Sequence, residues 1–124
     1  MDINLNNKVI VLTGGTSGLG KEAAIRFAKE GAQVVVIFNT NIKKAEELKE
    51  RYSENIAIEK CDVTKPEEVQ KCYKRFCQKY SQIDVLINNA GIGRDNLVSI
   101  MKYSDWKKVI DCNLDGTFLC CKFF

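Results

Sequence analysis

The sequence contains no histidine among its 124 residues. That removes the usual general base of serine and cysteine hydrolases and the commonest metal ligand. No carboxylates cluster at ligand spacing either, so no metal is expected. Long apolar runs are absent too: none approaches the ~20 residues that cross a bilayer. The opening segment, "MDINLNNKV", lacks the basic start and apolar centre of a signal peptide. The expected location is therefore cytoplasmic, with no membrane partner. Also missing is any basic run interleaved with aromatics, so no nucleic-acid partner is expected. The six cysteines, Cys61, Cys72, Cys77, Cys112, Cys120 and Cys121, show no CxxC spacing. Without a secretory context they read as reduced, buried thiols.

What is present suits one small globular domain spanning residues 1–124. Apolar residues make up 45% and charged residues 28%, and the net charge is +3, with both signs interspersed. Four apolar runs read as strands: 8–12, 33–38, 55–60 and 84–88. Between them lie segments of helical period. Residues 18–30 carry an apolar stripe of Leu19, Ala23 and Phe27 with Ala24 and Ala28 beside it, closed by Gly31. Residues 42–52 turn Ile42, Ala45, Leu48 and Tyr52 inward. In the next helix, Thr64 and Glu67 have capping-box spacing around Pro66. Val69, Cys72, Tyr73, Phe76, Cys77 and Tyr80 form its stripe. A last helix begins near Ser104 and breaks around Asn113. Strands alternating with helices predict the α/β class, a doubly wound parallel sheet. No linker composition or internal repeat divides the chain.

One turn stands out: "TGGTSGLG", residues 13–20, where a strand ends and a helix begins. The first amide N–H groups of a helix have no internal partner, and the helix dipole is positive there. A phosphate can take those hydrogen bonds if the backbone turns sharply and lets it approach. Gly14 would supply the turn, Gly18 the approach, and Gly20 close packing of the helix on the sheet. Thr16 and Ser17 add hydroxyls. Glycines also serve a strand-to-helix turn that binds nothing, and the spacing is neither G-x-G-x-x-G nor a P-loop. Three further segments bear on the choice. "CDV", 61–63, and "NNAG", 88–91, follow the third and fourth strands, where open α/β sheets bind ligands. "NLDGTF", 113–118, puts an Asn inside an apolar helix, which is unfavourable unless it bonds to something specific.

Taken in order, these motifs resemble the N-terminal half of a short-chain dehydrogenase/reductase, across the whole chain. "TGGTSGLG" is similar to the family's TGxxxGxG cofactor turn, "CDV" to its adenine-side Asp-Val and "NNAG" to its fourth-strand signature. Asn113 matches its mid-helix active-site Asn. The segment 31–48 is most similar to the 3-oxoacyl-(acyl carrier protein) reductases. The resemblance implies a Rossmann-like sheet in the order 3-2-1-4. It implies that Gly14, Thr16, Ser17, Gly18, Leu19 and Gly20 hold the pyrophosphate and flanking ribose. Asp62 and Val63 would border the adenine, and Asn89, Ala90 and Gly91 would line the ribose near the nicotinamide. Asn88 would tie neighbouring strands, and Asn113 would help hold a water in the proton relay. Phe38 stands where an acid would select NAD, followed by Asn39, Thr40 and Asn41. The expected cofactor is therefore NADP rather than NAD, with Asn39 and Thr40 toward its 2′-phosphate. No Arg is near, so a positive partner requires Lys43 or Lys44 to fold back.

The family's chemistry also needs a Tyr with a Lys four residues on, and a Ser, downstream of the Asn. The chain stops first, so it is expected to be an incomplete, truncated NAD(P)-binding domain that does not transfer hydride alone. Tyr103 does have Lys107 at the right spacing, but it precedes Asn113 and reads as a surface coincidence. The apolar segment 117–124 and the fourth strand would lack a covering surface, which predicts a homo-oligomer through that helix and strand edge. The alternative from another class is a non-catalytic binding or assembly module that pairs with itself or with a second polypeptide.

Overall fold

A computed structural model describes residues 3–124 of the chain. Four parallel strands, β1 (Val9–Thr13), β2 (Gln33–Phe38), β3 (Ile56–Lys60) and β4 (Val85–Ile87), form one sheet in the order β3-β2-β1-β4. This is the expected 3-2-1-4 order. The register runs Val9↔Gln33 to Thr13↔Ile37 across β1 and β2, and Ile10↔Val85 to Leu12↔Ile87 across β1 and β4. Helices α1 (Gly18–Lys29), α2 (Ile42–Arg51) and α3 (Pro66–Lys79) connect the strands. After β4 come α4 (Tyr103–Ile110), a π-helical turn (Asp111–Asp115) and α5 (Gly116–Phe123).

Apart from Thr13 at the end of β1 and Gln33 at the start of β2, the central strands are apolar because both faces are covered. On one face Ile10, Leu12, Val34 and Val36 pack with Ala24 and Ala28 of α1 and Leu48 of α2. On the other, Val11, Val35 and Ile37 pack with Val69, Cys72 and Phe76 of α3 and Leu119 and Cys120 of α5. The layers are helix, sheet, helix. The chain builds outward from β1 through β2 to β3, then returns to lay β4 on the other side of β1. That reversal opens a crevice at the carboxyl ends of β1 and β4, where sheets of this kind take ligands.

Several local expectations differ from the structure. In α1 the buried line is Gly20, Ala24 and Ala28, and Leu19 is 86% exposed. The helix is rolled so that Gly20, not Leu19, faces the strand ends. Ile42, the first residue of α2, is also exposed, while Ala45 and Leu48 carry the helix's packing. The Thr64/Glu67 capping box does not form. The N-cap of α3 is Lys65, without a side-chain cap. Thr64 instead donates its hydroxyl to Asp62 Oδ1 at 2.7 Å, and Glu68 reaches back to the Asp62 amide at 2.8 Å. Asp84 sits just outside β4 and extends the β1 ladder through its side chain, Oδ2 accepting from the Val9 amide at 2.8 Å.

The break near Asn113 is the π-helical turn, with helical dihedrals on both sides. Part of the apolar tail is covered: Leu119 and Cys120 are buried, and Phe124 meets Tyr73 and Phe76 edge-on at 5.4 and 5.8 Å between ring centroids. Of the six thiols, all unbridged, Cys61, Cys72 and Cys120 are buried, but Cys77 and Cys121 are exposed and Cys112 is half-buried. Burial pushes the Cys120 thiol up to about 11. Cys61 is pushed well above the usual thiol range by its hydrogen bond with Cys72 and by burial.

Candidate functional site

The glycine turn is fixed from both sides. Gly14 adopts a left-handed conformation, φ 70°, which a side chain resists. Its amide donates to Ile37 O at 2.9 Å, continuing the ladder to β2. A Cβ on Gly14 would lie 2.8 Å from Ala90 Cα, so the turn presses against the end of β4. A Cβ on Gly20 would collide with the Asn89 amide and the Gly14 carbonyl. Gly20 therefore makes room for the turn itself rather than for the sheet.

Two side chains join the strand ends. The buried Thr13 hydroxyl oxygen accepts from the amides of Asn89 at 3.1 Å and Ala90 at 2.9 Å. Asn89 Nδ2 donates to Gly14 O at 3.0 Å. Thr13 had no role in the sequence-based expectation. Its signal is a hydroxyl at the last position of a strand buried from Ile10 onward, where a polar group must find partners. Asn88, expected to tie strands, instead donates from Nδ2 to Cys121 Sγ of α5 at 3.4 Å.

The turn so held leaves its own donors free. None of the amides of Gly15, Thr16, Ser17, Gly18, Leu19 and Gly20 donates to an acceptor among the described residues, and the first intact bond runs from the Lys21 amide to Ser17 O at 3.2 Å. Ser17 caps α1 with its backbone only. Six consecutive N–H groups at a helix start are a ready anion cradle.

Beside this turn lies a cleft of 480 Å³. It brings together Gly14, Thr16, Asn39, Thr40, Asp62, Val63, Ala90 and Gly91 from four loops. Ser17 and Gly18 line a neighbouring cavity together with Thr16. Leu19 projects into solvent, and Gly20 and Asn89 sit behind the turn as its supports. The cleft also includes residues that sequence reasoning missed: Arg94, Lys108 and Cys112, brought in by the segment after β4 and by α4. Their separation in sequence gave no spacing to read.

Asp62 is tethered in this cleft. Its Oδ1 accepts from the Thr64 amide at 3.0 Å and the Thr64 hydroxyl. Oδ2 lies 3.9 Å from Lys65 Nζ, and Asp62 lines the cleft. The Asp62 amide donating to Glu68 holds the Glu68 carboxyl below the usual range, helped by Lys65. The half-buried Cys112 thiol is raised by burial and then by the Asp62 charge.

Asn113 does not line the cleft. Its Oδ1 accepts from the Ile92 amide at 2.8 Å and its Nδ2 donates to Ile92 O at 3.0 Å. The carboxamide therefore pins the loop after Gly91 to the π-helical turn. Each carboxamide atom keeps one further hydrogen-bonding position, and the main-chain carbonyl, which takes the Thr117 hydroxyl at 3.0 Å, keeps one lone pair. Tyr103 is exposed, and Lys107 bonds to Asp111 rather than to it. The spacing of Tyr103 and Lys107 thus reflects an outward helix face.

Comparison with known proteins agrees with this geometry. The family model described as short chain dehydrogenase matches residues 8–124. A 3-oxoacyl-[acyl-carrier-protein] reductase FabG of Staphylococcus epidermidis is 40% identical over 118 residues, covering 92% of this chain and 48% of the relative. A 3-oxoacyl-[acyl-carrier-protein] reductase of Synechocystis sp. is 41% identical over 122 residues, covering 95% of this chain and 49% of the relative. The chain thus spans about half the length of the curated relatives it matches. It belongs to the short chain dehydrogenase family.

The Thr13 join generates a direct test. Thr13→Val keeps the shape and orphans two amides, so the unfolding free energy in urea should fall by about 1–3 kcal/mol. Thr13→Ser, which retains the oxygen, should recover most of it. An unchanged urea midpoint for Thr13→Val would show that the join carries no stability.

Proposed function

We propose that this member of the short chain dehydrogenase family binds a nicotinamide dinucleotide, NADP rather than NAD, and serves hydride transfer between NADPH and a carbonyl or hydroxyl carbon. The substrate class is that of the 3-oxoacyl reductases it resembles. The observation that carries the reading is the row of free amides at residues 15–20, in a turn whose Thr16 lines the same cleft as Asp62.

The residues fit the cofactor group by group. The free amides, with the Thr16 and Ser17 hydroxyls, suit a diphosphate. The free lone pairs of Asp62 suit an exocyclic amine, and the buried Val63 beside it gives an apolar wall to a flat base. Ala90 and Gly91 present little side chain, so a ribose can lie against backbone. Asn39, Thr40 and Asn41 are exposed at the end of β2 with no carboxylate to repel a 2′-phosphate. When bound, the cofactor supplies the hydride. Asn113, holding Ile92, positions the loop that closes the cleft. Proton delivery is not assigned to Tyr103 and Lys107, whose lysine is committed to Asp111. We therefore read these residues as the nucleotide half of the reaction.

Self-association belongs to the same reading. Trp106, Leu114 and Phe118 are more than half exposed on α4, the π-helical turn and α5, and β4 forms a sheet edge. A second copy covering this face would remove apolar area from water. Sedimentation velocity should show a dimer or larger species, shifted toward monomer by Phe118→Asp. A monomer at all concentrations would contradict this part.

Calorimetric titration with NADPH tests the main claim. Binding is expected, and Asp62→Ala should weaken it by about tenfold, the effect of losing one charge-assisted hydrogen bond. No heat at millimolar NADPH would reject the nucleotide reading.

A further inference from the structure

We infer that Cys61 and Cys72 are a redox-sensitive pair: a hydroperoxide joins them in a disulfide, and the bridge weakens nucleotide binding in the cleft that Cys61 lines. The effect on binding rests on the dinucleotide reading above, and the bridge rests on the thiols alone. Cys61 follows β3 directly, and Cys72 lies in α3. Both thiols are free and buried in one core, and they hydrogen-bond to each other. Cys120 packs in the same core, but its thiol shares no hydrogen bond with Cys72 among the described residues.

The surroundings of the pair favour oxidation. Cys72 is held below the usual thiol range, first by the hydrogen bond from Cys61; burial and Glu59 oppose this, and Arg75 assists it. The thiolate is the reactive form of cysteine, and a neighbouring guanidinium favours it. Two openings flank the pair. Cys61 lines the 480 Å³ cleft, and Arg75 lines a cavity of 220 Å³ with Lys60 and Lys71, the residues that precede the two cysteines. Both spaces admit a molecule little larger than water, such as hydrogen peroxide.

The Cys72 thiolate attacks one oxygen of hydrogen peroxide and the O–O bond breaks. The departing hydroxide recovers the proton that Cys72 gave up and leaves as water. Cys72 is then a sulfenic acid. The Cys61 sulfur attacks it, the S–O bond breaks, and the oxygen leaves with the Cys61 proton as a second water. Two thiols are oxidised and one peroxide is reduced. The bridge closes the segment 61–72, which contains Asp62 and Val63 of the cleft. That loop is set by the Asp62 amide on Glu68 at 2.8 Å and by the Asp62 carboxylate on the Thr64 amide at 3.0 Å. Drawing the sulfurs from hydrogen-bond contact to a covalent bond of about 2 Å pulls the end of β3 toward α3. Asp62 and Val63 are displaced with it.

The test treats the folded chain with hydrogen peroxide, removes the excess with catalase, and blocks remaining thiols with iodoacetamide in denaturant. Trypsin then releases residues 61–71 and 72–74 as separate peptides unless a disulfide joins them. Mass spectrometry should find them joined, and dithiothreitol should part them. A chain whose Cys61 and Cys72 both stay alkylated, or pair with Cys120 instead, would overturn the inference. Calorimetry should show NADPH binding weakened by about fivefold or more after oxidation and restored by dithiothreitol. Cys72→Ala, its folding checked by circular dichroism, should bind NADPH like the reduced chain and keep that affinity after peroxide. It retains the exposed Cys77 and Cys121, so an equal loss in this variant would assign the effect to them and count against the pair. A bridge that forms and leaves NADPH affinity unchanged would overturn the coupling while the dinucleotide reading stands. No NADPH binding by the reduced chain would reject that reading and the coupling with it, and the mass of the peptides would still decide the bridge.

Discussion

The Thr13 hydroxyl and the Asn89 carboxamide hold the carboxyl ends of β1 and β4 together, and the glycine turn stands on that join. Thr13 takes two amides from the β4 side, and Asn89 returns one hydrogen bond to the Gly14 carbonyl. With the turn braced there, its six amides donate to no acceptor among the described residues. An unmet donor on a helix start is tolerable only where water or an anion can reach it. The same contacts that stiffen the sheet therefore produce the cradle, and they explain why Gly14 and Gly20 tolerate no side chain.

From that join the rest of the cleft follows by topology. β1 lies between β2 and β4, so residues from the loops after β1, β2, β3 and β4 converge on one end of the sheet. Each loop contributes a different chemistry: amides after β1, small polar groups after β2, a tethered carboxylate after β3, and bare backbone after β4. Asn113 adds a clamp from 21 residues away, closing both hydrogen bonds on Ile92. The π-helical turn at Asp111–Asp115 shifts the helical register where this clamp is made.

Much of this architecture was legible in the sequence. The β-branched runs of β1 and β2 imply strands covered on both faces, and the strand order followed from the motifs and their resemblance. The misreadings have steric causes. Counting apolar spacing placed Leu19 in the core, but Gly20 must touch Gly14 and Asn89, and that contact rolls α1 outward. Thr64 and Glu67 have capping-box spacing, yet the Asp62 carboxylate takes both the hydroxyl and the amide of Thr64. Thr13 was passed over because its partners lie more than 70 residues away.

The central claim is that the free amides of the glycine turn and the start of α1 receive the diphosphate of a dinucleotide. Amide resonances of Gly15 to Gly20, followed by nitrogen-15 NMR during titration with NADPH, test it most directly. The account predicts that these six resonances move together and saturate with the binding curve. Saturable binding that leaves all six unmoved would contradict it.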